Sequence, residues 1–213
     1  MADQMDYWVI QDFLTDLVPP REPEMQRMEE YARKTNFNII GPAAGYVCYQ
    51  VARMIGAQSV FELGSGYGYS TAWFAKAVKE NGGGVVHHVV WDQKLSDMAA
   101  GHLSRLGYEG QIQYHVAEAI ATLRDTPGPF DLIFCDIDKH GYPEALPVIK
   151  SKLRQGGVMI TDNIIWHARI FDNKDTSADT VGVRDFTRLV AQDPDWIASV
   201  MPVRDGVMVA YKK

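Results

Sequence analysis

Apolar positions in the first quarter of the chain recur every three or four residues. Tyr7, Ile10, Phe13, Leu14 and Leu17 form one such stripe before Val18-Pro19-Pro20 ends it, and Met25, Met28 and Tyr31 form another after Pro23. Proline is tolerated in a first helical turn, where its missing N–H would have no partner. The spacing therefore predicts two helices and, opened by Pro42, a third that carries Val47, Val51 and Ile55. All three read as core packing, with one of them free to cover a ligand or form a dimer face.

From Ser59 the period switches. Short apolar runs now alternate with helix-length segments: SVFEL then Tyr69 to Lys79, VVHHVVW then Leu95 to Leu106, and IQYHV then Ala117 to Leu123. FDLIFC then leads to Tyr142 to Leu153, and VMIT to a loop and a helix near Val181 to Val190. Such alternation requires right-handed crossovers and builds a doubly wound, mostly parallel α/β sheet with helices on both faces. Two further runs, Trp196 to Met201 and Gly206 to Tyr211, flank Val203-Arg204-Asp205-Gly206, whose Asp-Gly marks a tight turn. They bring the strands to seven and predict an antiparallel hairpin at the sheet edge. The expected organisation is one domain over 1–213, with a helical part at 1–56 and an α/β core at 57–213.

Composition agrees with this outline. A chain of 213 residues with 46% apolar and 23% charged content is an ordinary globular one. Acidic residues exceed basic ones, 27 to 21, and the net charge of −6 argues against a nucleic-acid binder that neutralises phosphates. Cys48 and Cys135 both lie in apolar stretches, as small hydrophobes in a reducing compartment do. The acidic start MADQMDYWVI lacks the basic region of a secretion signal, and no apolar run reaches the ~18 residues that span a bilayer. A cytoplasmic protein with no membrane partner is expected.

In open α/β sheets ligands bind beyond the carboxyl ends of the strands, which narrows the search for chemistry. After the first strand comes Glu62-Leu63-Gly64-Ser65-Gly66-Tyr67-Gly68-Tyr69-Ser70-Thr71, a glycine-rich turn entering a helix whose free N–H groups suit a polar or anionic ligand group. Its glycine spacing is neither the dinucleotide G-x-G-x-x-G nor the triphosphate loop. It reads either as a nucleoside-bearing cofactor site or as a plain strand–helix turn. The fourth strand ends in Cys135-Asp136-Ile137-Asp138-Lys139 and the fifth in Thr161-Asp162-Asn163. If the two strands are neighbours, their ends lie roughly 5 Å apart, and Asp136, Asp162 and Asn163 can share a hard cation such as Mg²⁺ or Ca²⁺. The other reading makes them helix caps and turn residues. A lysine beside a bound cation gives up its proton more readily, so Lys139 reads as a base, or else as the aspartates' ion-pair partner.

These stretches occur in an order that resembles a known family. Glu62-Leu63-Gly64 through Gly68-Tyr69-Ser70, Phe130-Asp131, Asp136-x-Asp138-Lys139-x-x-Tyr142, Asp162-Asn163-x-x-Trp166 and the closing Asp205-Gly206 together look like the metal-dependent class I O-methyltransferases, which include catechol and caffeoyl-CoA O-methyltransferases. The likeness runs clearly from about Gly41 onward. It implies a Rossmann-like methyltransferase fold with extra N-terminal helices, S-adenosylmethionine as methyl donor, and methyl transfer to a hydroxyl of a catechol-like vicinal diol. It places Glu62, Gly64, Ser65, Ser70, Ala117, Asp136 and Asp138 around the donor. Asp136, Asp162 and Asn163 would bind a divalent cation (Mg²⁺ first, Ca²⁺ or Mn²⁺ as alternatives), and Lys139 would be the catalytic base. Trp166 and His167 fall where substrate contacts lie, in a long segment from Ile164 to Ala178 that reads as a lid or specificity element. The family also implies a homodimer.

Two positions depart from the family pattern. Val90 stands where relatives carry an acid that holds the ribose, with Asp92 two residues on, and His115-Val116 stands where they often have Gly-Asp. A non-catalytic binding protein on a decayed site is therefore the rival reading, although retention of Asp136, Lys139, Asp162 and Asn163 counts against it. A nicotinamide-dependent oxidoreductase lacks both its glycine fingerprint and its ribose acid. No role converges on His87, His88 or His102; His140 reads as a loop residue facing solvent, and Tyr142 as packing beneath the site loop.

Overall fold

The computed structural model describes residues 7–213; the acidic start of the chain lies outside the described residues. Three helices come first: α1 (Tyr7–Asp16), α2 (Pro23–Thr35) and α3 (Gly41–Met54). Then β1 (Ser59–Leu63), α4 (Tyr69–Glu80), β2 (Val85–Val90), α5 (Gln93–Arg105), β3 (Ile112–Val116), α6 (Ala119–Asp125), β4 (Phe130–Cys135), α7 (Tyr142–Lys152) and β5 (Leu153–Thr161) alternate. The chain closes with α8 (Ala178–Gln192), β6 (Trp196–Met201) and β7 (Val207–Lys212). The seven strands lie in the order β3-β2-β1-β4-β5-β7-β6, with β7 antiparallel to both neighbours and the rest parallel. The expected doubly wound sheet with an edge hairpin is the observed one. Among the described residues, no helix is long and apolar enough to cross a membrane.

Each strand feeds two cores because successive side chains point to opposite faces. Val60, Leu132, Phe134 and Ile160 pack under α2 to α5, while Phe61, Ile133, Cys135 and Met159 pack under α6 to α8. A register shift between Phe130 and Leu132 brings Phe130 onto the same face as Ile133. Asp131 pins the sheet's lower edge, accepting from the N–H groups of Gln58 and Ser59 at 2.8 and 2.9 Å and from Arg154 Nε at 2.6 Å.

Several boundaries depart from the sequence pattern for local reasons. Helix α6 starts two residues later than Ala117, because Glu118 caps it through both carboxylate oxygens, leaving Ala117 in the strand-end loop. Helix α7 stops at Lys152, since Leu153 is already extended and pairs with Phe130. The strand containing VMIT is longer than the sequence suggested, running Leu153–Thr161. Helix α3 buries Ala44, Gly45, Cys48 and Ala52 rather than the Val47, Val51 and Ile55 stripe. The Trp73 indole of α4 occupies the space a Cβ at Gly45 would need, so close helix approach selects the small-residue face. The apolar stripe of α1 is also largely outside the core: Phe13 and Leu17 are 61% and 63% exposed. Polar contacts hold α1 instead, Gln11 Nε2 donating to Pro202 O at 3.1 Å and Gln11 Oε1 accepting from Arg204 N at 2.5 Å.

Candidate active site

β1 ends under the glycine-rich turn. Gly64 has φ +86°, and a Cβ there would collide with the backbone oxygen of Asp136 at the end of β4. Only glycine lets the two strand ends close to this distance. Directly below lies Glu62, with no exposed surface. Its Oε2 accepts from Thr71 Oγ1 at 2.5 Å, and Thr71 Oγ1 lies 3.1 Å from His88 Nδ1. Among the described residues no donor is aligned on Glu62 Oε1. Burial pushes the Glu62 carboxyl up to about 7, against the hydroxyls of Ser70, Thr71 and Ser65, which favour its charged form. An unpaired carboxylate oxygen in this position suits an ammonium brought by a ligand.

The turn opens on a cleft of about 1480 Å³, larger than the ~300–1,000 Å³ of a one-ligand pocket and roomy enough for two small molecules side by side. Of the sequence-predicted residues, Gly64, Ala117, Asp136, Asp138, Lys139, Asp162, Asn163, Trp166 and His167 line it. Ser65 and Ser70 line a small adjoining recess shared with Gly64 and Asp136. Ser65 is also tied to β2, its N–H donating to Val89 O and its Oγ accepting from Val89 N, both at 2.9 Å. Glu62 lies behind both surfaces.

β4 and β5 are sheet neighbours, Cys135 pairing with Thr161, so Asp136 and Asp162 leave adjacent strand ends together. Asp162 is 2% exposed, and among the described residues its Oδ1 has no hydrogen-bond partner. Burial, and then the charge of Asp136, push its carboxyl above the usual aspartate range. Asn163 follows in the left-handed region, φ 56°, and its Nδ2 donates to Asp205 Oδ2 at 3.3 Å, leaving Oδ1 available. Among the described residues no group of three or more His, Cys, Asp or Glu is placed to hold a metal; the donor set here is two carboxylates and one amide. A buried, unpartnered carboxylate oxygen beside a second carboxylate fits a hard, oxygen-seeking cation.

Lys139 is buried at the same end. Its Nζ donates to Asp136 Oδ1 at 2.7 Å and to Ile137 O at 3.2 Å, and lies over the rings of Tyr142 and Trp166 at 5.3 and 5.8 Å. Tyr142 packs beneath, fully buried, donating to Asp162 O at 3.0 Å. The segment after β5 forms the opposite wall. Arg184 of α8 braces it by donating to the carbonyls of Ile170, Asp175, Arg169 and Asp172. His167, whose side chain is 71% exposed, stacks on Trp166, and its N–H donates to Asp205 Oδ1 at 2.6 Å. Asp205 thus joins Asn163 to His167. In sequence Asp205 figured in the turn dipeptide and in the closing motif of the resemblance, with no site role attached.

The far end of the cleft is apolar apart from Glu118, whose carboxylate caps α6. Val90 closes β2, and Trp91, Leu95, Ala117 and Ile120 continue the wall. Asp92 is not among the cleft residues; its Oδ1 accepts from Leu95 N at 3.1 Å and caps α5. His115 does not face the cleft either: it shares a 3.0 Å hydrogen bond with His87 and stacks on it under the sheet. His88 and His102, to which the sequence attached nothing, support Glu62 and pair with Glu24 at 2.6 Å respectively. Neither contact has a local sequence signal. His140 is exposed, as expected, and its Nδ1 lies 3.0 Å from Asp179 Oδ1.

Comparison with known proteins shows the family and the fold. A family model described as O-methyltransferase matches residues 22–213. A catechol O-methyltransferase of Niastella koreensis is 28% identical over 183 residues, 82% of each chain. The fold is shared with an O-methyltransferase from Bacillus cereus solved in complex with SAH, at 24% identity, TM-score 0.86 and coverage of 96% of this chain and 97% of that one. It is shared as well with the O-methyltransferase TomG from Streptomyces achromogenes, involved in tomaymycin synthesis and solved with SAM, at 24% identity, TM-score 0.87 and full coverage of both chains.

Proposed function

The chain belongs to the O-methyltransferase family, and from that premise we propose that it is an S-adenosylmethionine-dependent, divalent-metal-dependent enzyme that methylates one hydroxyl of a catechol-like vicinal diol. The observation that carries the metal and the diol is Asp162: a buried carboxylate oxygen without a partner, beside Asp136 and Asn163, at the mouth of a cleft that the glycine-rich turn also lines. Asp136, Asp162 and Asn163 hold the cation, Mg²⁺ first. When bound, it supplies a Lewis acid that two vicinal oxygens can chelate and that makes the reacting hydroxyl more acidic, and the donor supplies a methyl group on a sulfonium.

The chain's own residues do the rest. Glu62 Oε1 takes the ammonium of the donor's amino-acid part, with Gly64, Ser65 and Ser70 around it, Asp136 and Asp138 beside it and Ala117 on the base side. Lys139 Nζ, fixed by Asp136 and walled by Tyr142 and Trp166, would receive the hydroxyl proton as a neutral amine, having first released its own extra proton to solvent. Trp166 and His167 form the wall that orients the aromatic ring of the acceptor and excludes water from the line of attack. Orientation of this kind accounts for much of the acceleration in a bimolecular transfer. The test is methyl transfer to a simple catechol, with and without Mg²⁺ and with a chelator. Mg²⁺-dependent monomethylated product is expected; equal product in the chelator would remove the metal from the reaction, and transfer to a lone phenol at the same rate would remove the diol.

A further inference from the structure

We infer that this chain grips the nucleoside of its methyl donor by apolar and aromatic surface, with no carboxylate clasping the ribose diol, and that it therefore accepts donors with an altered ribose. The inference rests on the reading that the cleft takes S-adenosylmethionine. In a doubly wound sheet a nucleoside's ribose lies beyond the second strand, where a carboxylate ordinarily accepts from its hydroxyls. Here β2 ends at Val90, which lines the cleft and is 6% exposed. The nearby acceptors are committed elsewhere. Asp92 Oδ1 caps α5 and Asp92 is not among the cleft residues; Glu118 does line the cleft, but each of its carboxylate oxygens is turned to the start of α6, accepting from Ile120 N at 2.9 Å and Ala121 N at 2.6 Å, and the carbonyl of Val90 accepts from Ala117 N at 3.1 Å.

What the strand end offers instead is Trp91. It lines the cleft, as Leu95 and Ile120 do, and is 70% exposed. A large aromatic side chain left this open at a cavity rim is a stacking platform for a planar base, a contact that ignores the sugar's hydroxyls. Sugar hydroxyls that meet no fixed acceptor keep water as their partner, so removing one costs little.

The experiment is calorimetric titration of the full chain with S-adenosylhomocysteine and with its 2′-deoxyribose analogue. The wild-type dissociation constants are expected to differ by less than about fivefold, whereas a charge-assisted hydrogen bond to the missing hydroxyl would separate them about ten- to hundredfold; a ratio above fivefold overturns the inference. Trp91→Ala is expected to weaken both ligands about tenfold and equally, and unchanged affinity would remove the aromatic platform. Val90→Glu is expected to create the discrimination the wild type lacks. Failure of both ligands to bind folded wild-type protein at millimolar concentration would sink the methyl-donor reading itself. Tight binding with strong discrimination would sink only the inference drawn here.

Discussion

Replacing Asp162 by asparagine separates the two roles the site assigns it. In the free protein Asp162 is a liability: it is 2% exposed, its Oδ1 meets no donor among the described residues, and burial together with the charge of Asp136 opposes its ionisation. Asn keeps the shape and removes the charge. Without cation, Asp162→Asn should therefore melt no lower than wild type at pH 8, since it removes a buried carboxylate that burial and the charge of Asp136 oppose. With cation the order reverses. A ligand at a hundred times its dissociation constant adds about 2.7 kcal/mol to the folded state, and a chain of this length gains roughly 2–4 °C per kcal/mol. Mg²⁺ should then raise the wild-type melting temperature by about 5–11 °C, and the variant's by no more than about 2 °C if the carboxylate is a ligand. Differential scanning calorimetry with 10 mM Mg²⁺ and with chelator measures both. A variant that keeps the wild-type shift, or a wild type that shows none while methyl transfer needs Mg²⁺, would refute the assignment.

Glu62 gives a pH signature. Its folded value of about 7 lies above the ordinary 4.5, so the folded state binds more protons between those values. Ligand-free stability should accordingly fall as pH rises from 4.5 to 7, by up to roughly 3 kcal/mol from this group; Glu62→Gln should flatten the slope in urea titrations, and an unchanged slope would contradict a strained carboxylate. Gly64→Ala places a Cβ against the Asp136 backbone at φ +86° and should destabilise by at least about 2 kcal/mol, read as a lower urea midpoint. Lys139→Met should lower kcat by about 10²- to 10⁴-fold while leaving S-adenosylhomocysteine affinity within about twofold; normal turnover in that variant would dismiss the base.

Much of the fold was legible because its signals are local. The change from helical to alternating strand–helix periodicity at Ser59, the Asp-Gly turn and the breaks at prolines each occupy a few neighbouring residues, and the strands they imply are the strands observed. Helix faces were less legible. A stripe such as Val47, Val51 and Ile55 says that a helix has an apolar side, not which side a neighbour needs; the Trp73 indole against Gly45 chose the small one. The strand-end rule likewise placed Asp136, Lys139, Asp162 and Asn163 near one another before any geometry was known, since parallel neighbours put their carboxyl ends on one edge.

Their partners were not available in that way. The Thr71–His88 contact spans 17 positions and the Asn163–Asp205 contact spans 42, and each exists only because the strand order β2-β1-β4-β5-β7 aligns those particular ends. The same holds for what Asp92 and Glu118 do: in sequence they are free acids near a cofactor loop, and only the helix starts of α5 and α6 take their oxygens. The sequence by itself determined the sheet, the glycine turn and the residue types at the strand ends, because periodicity, turn chemistry and chain direction are properties of neighbouring residues. Tertiary structure decided which carboxylates are left without partners and which are spent, because a hydrogen bond is settled by the distance between groups that the chain keeps far apart until it folds.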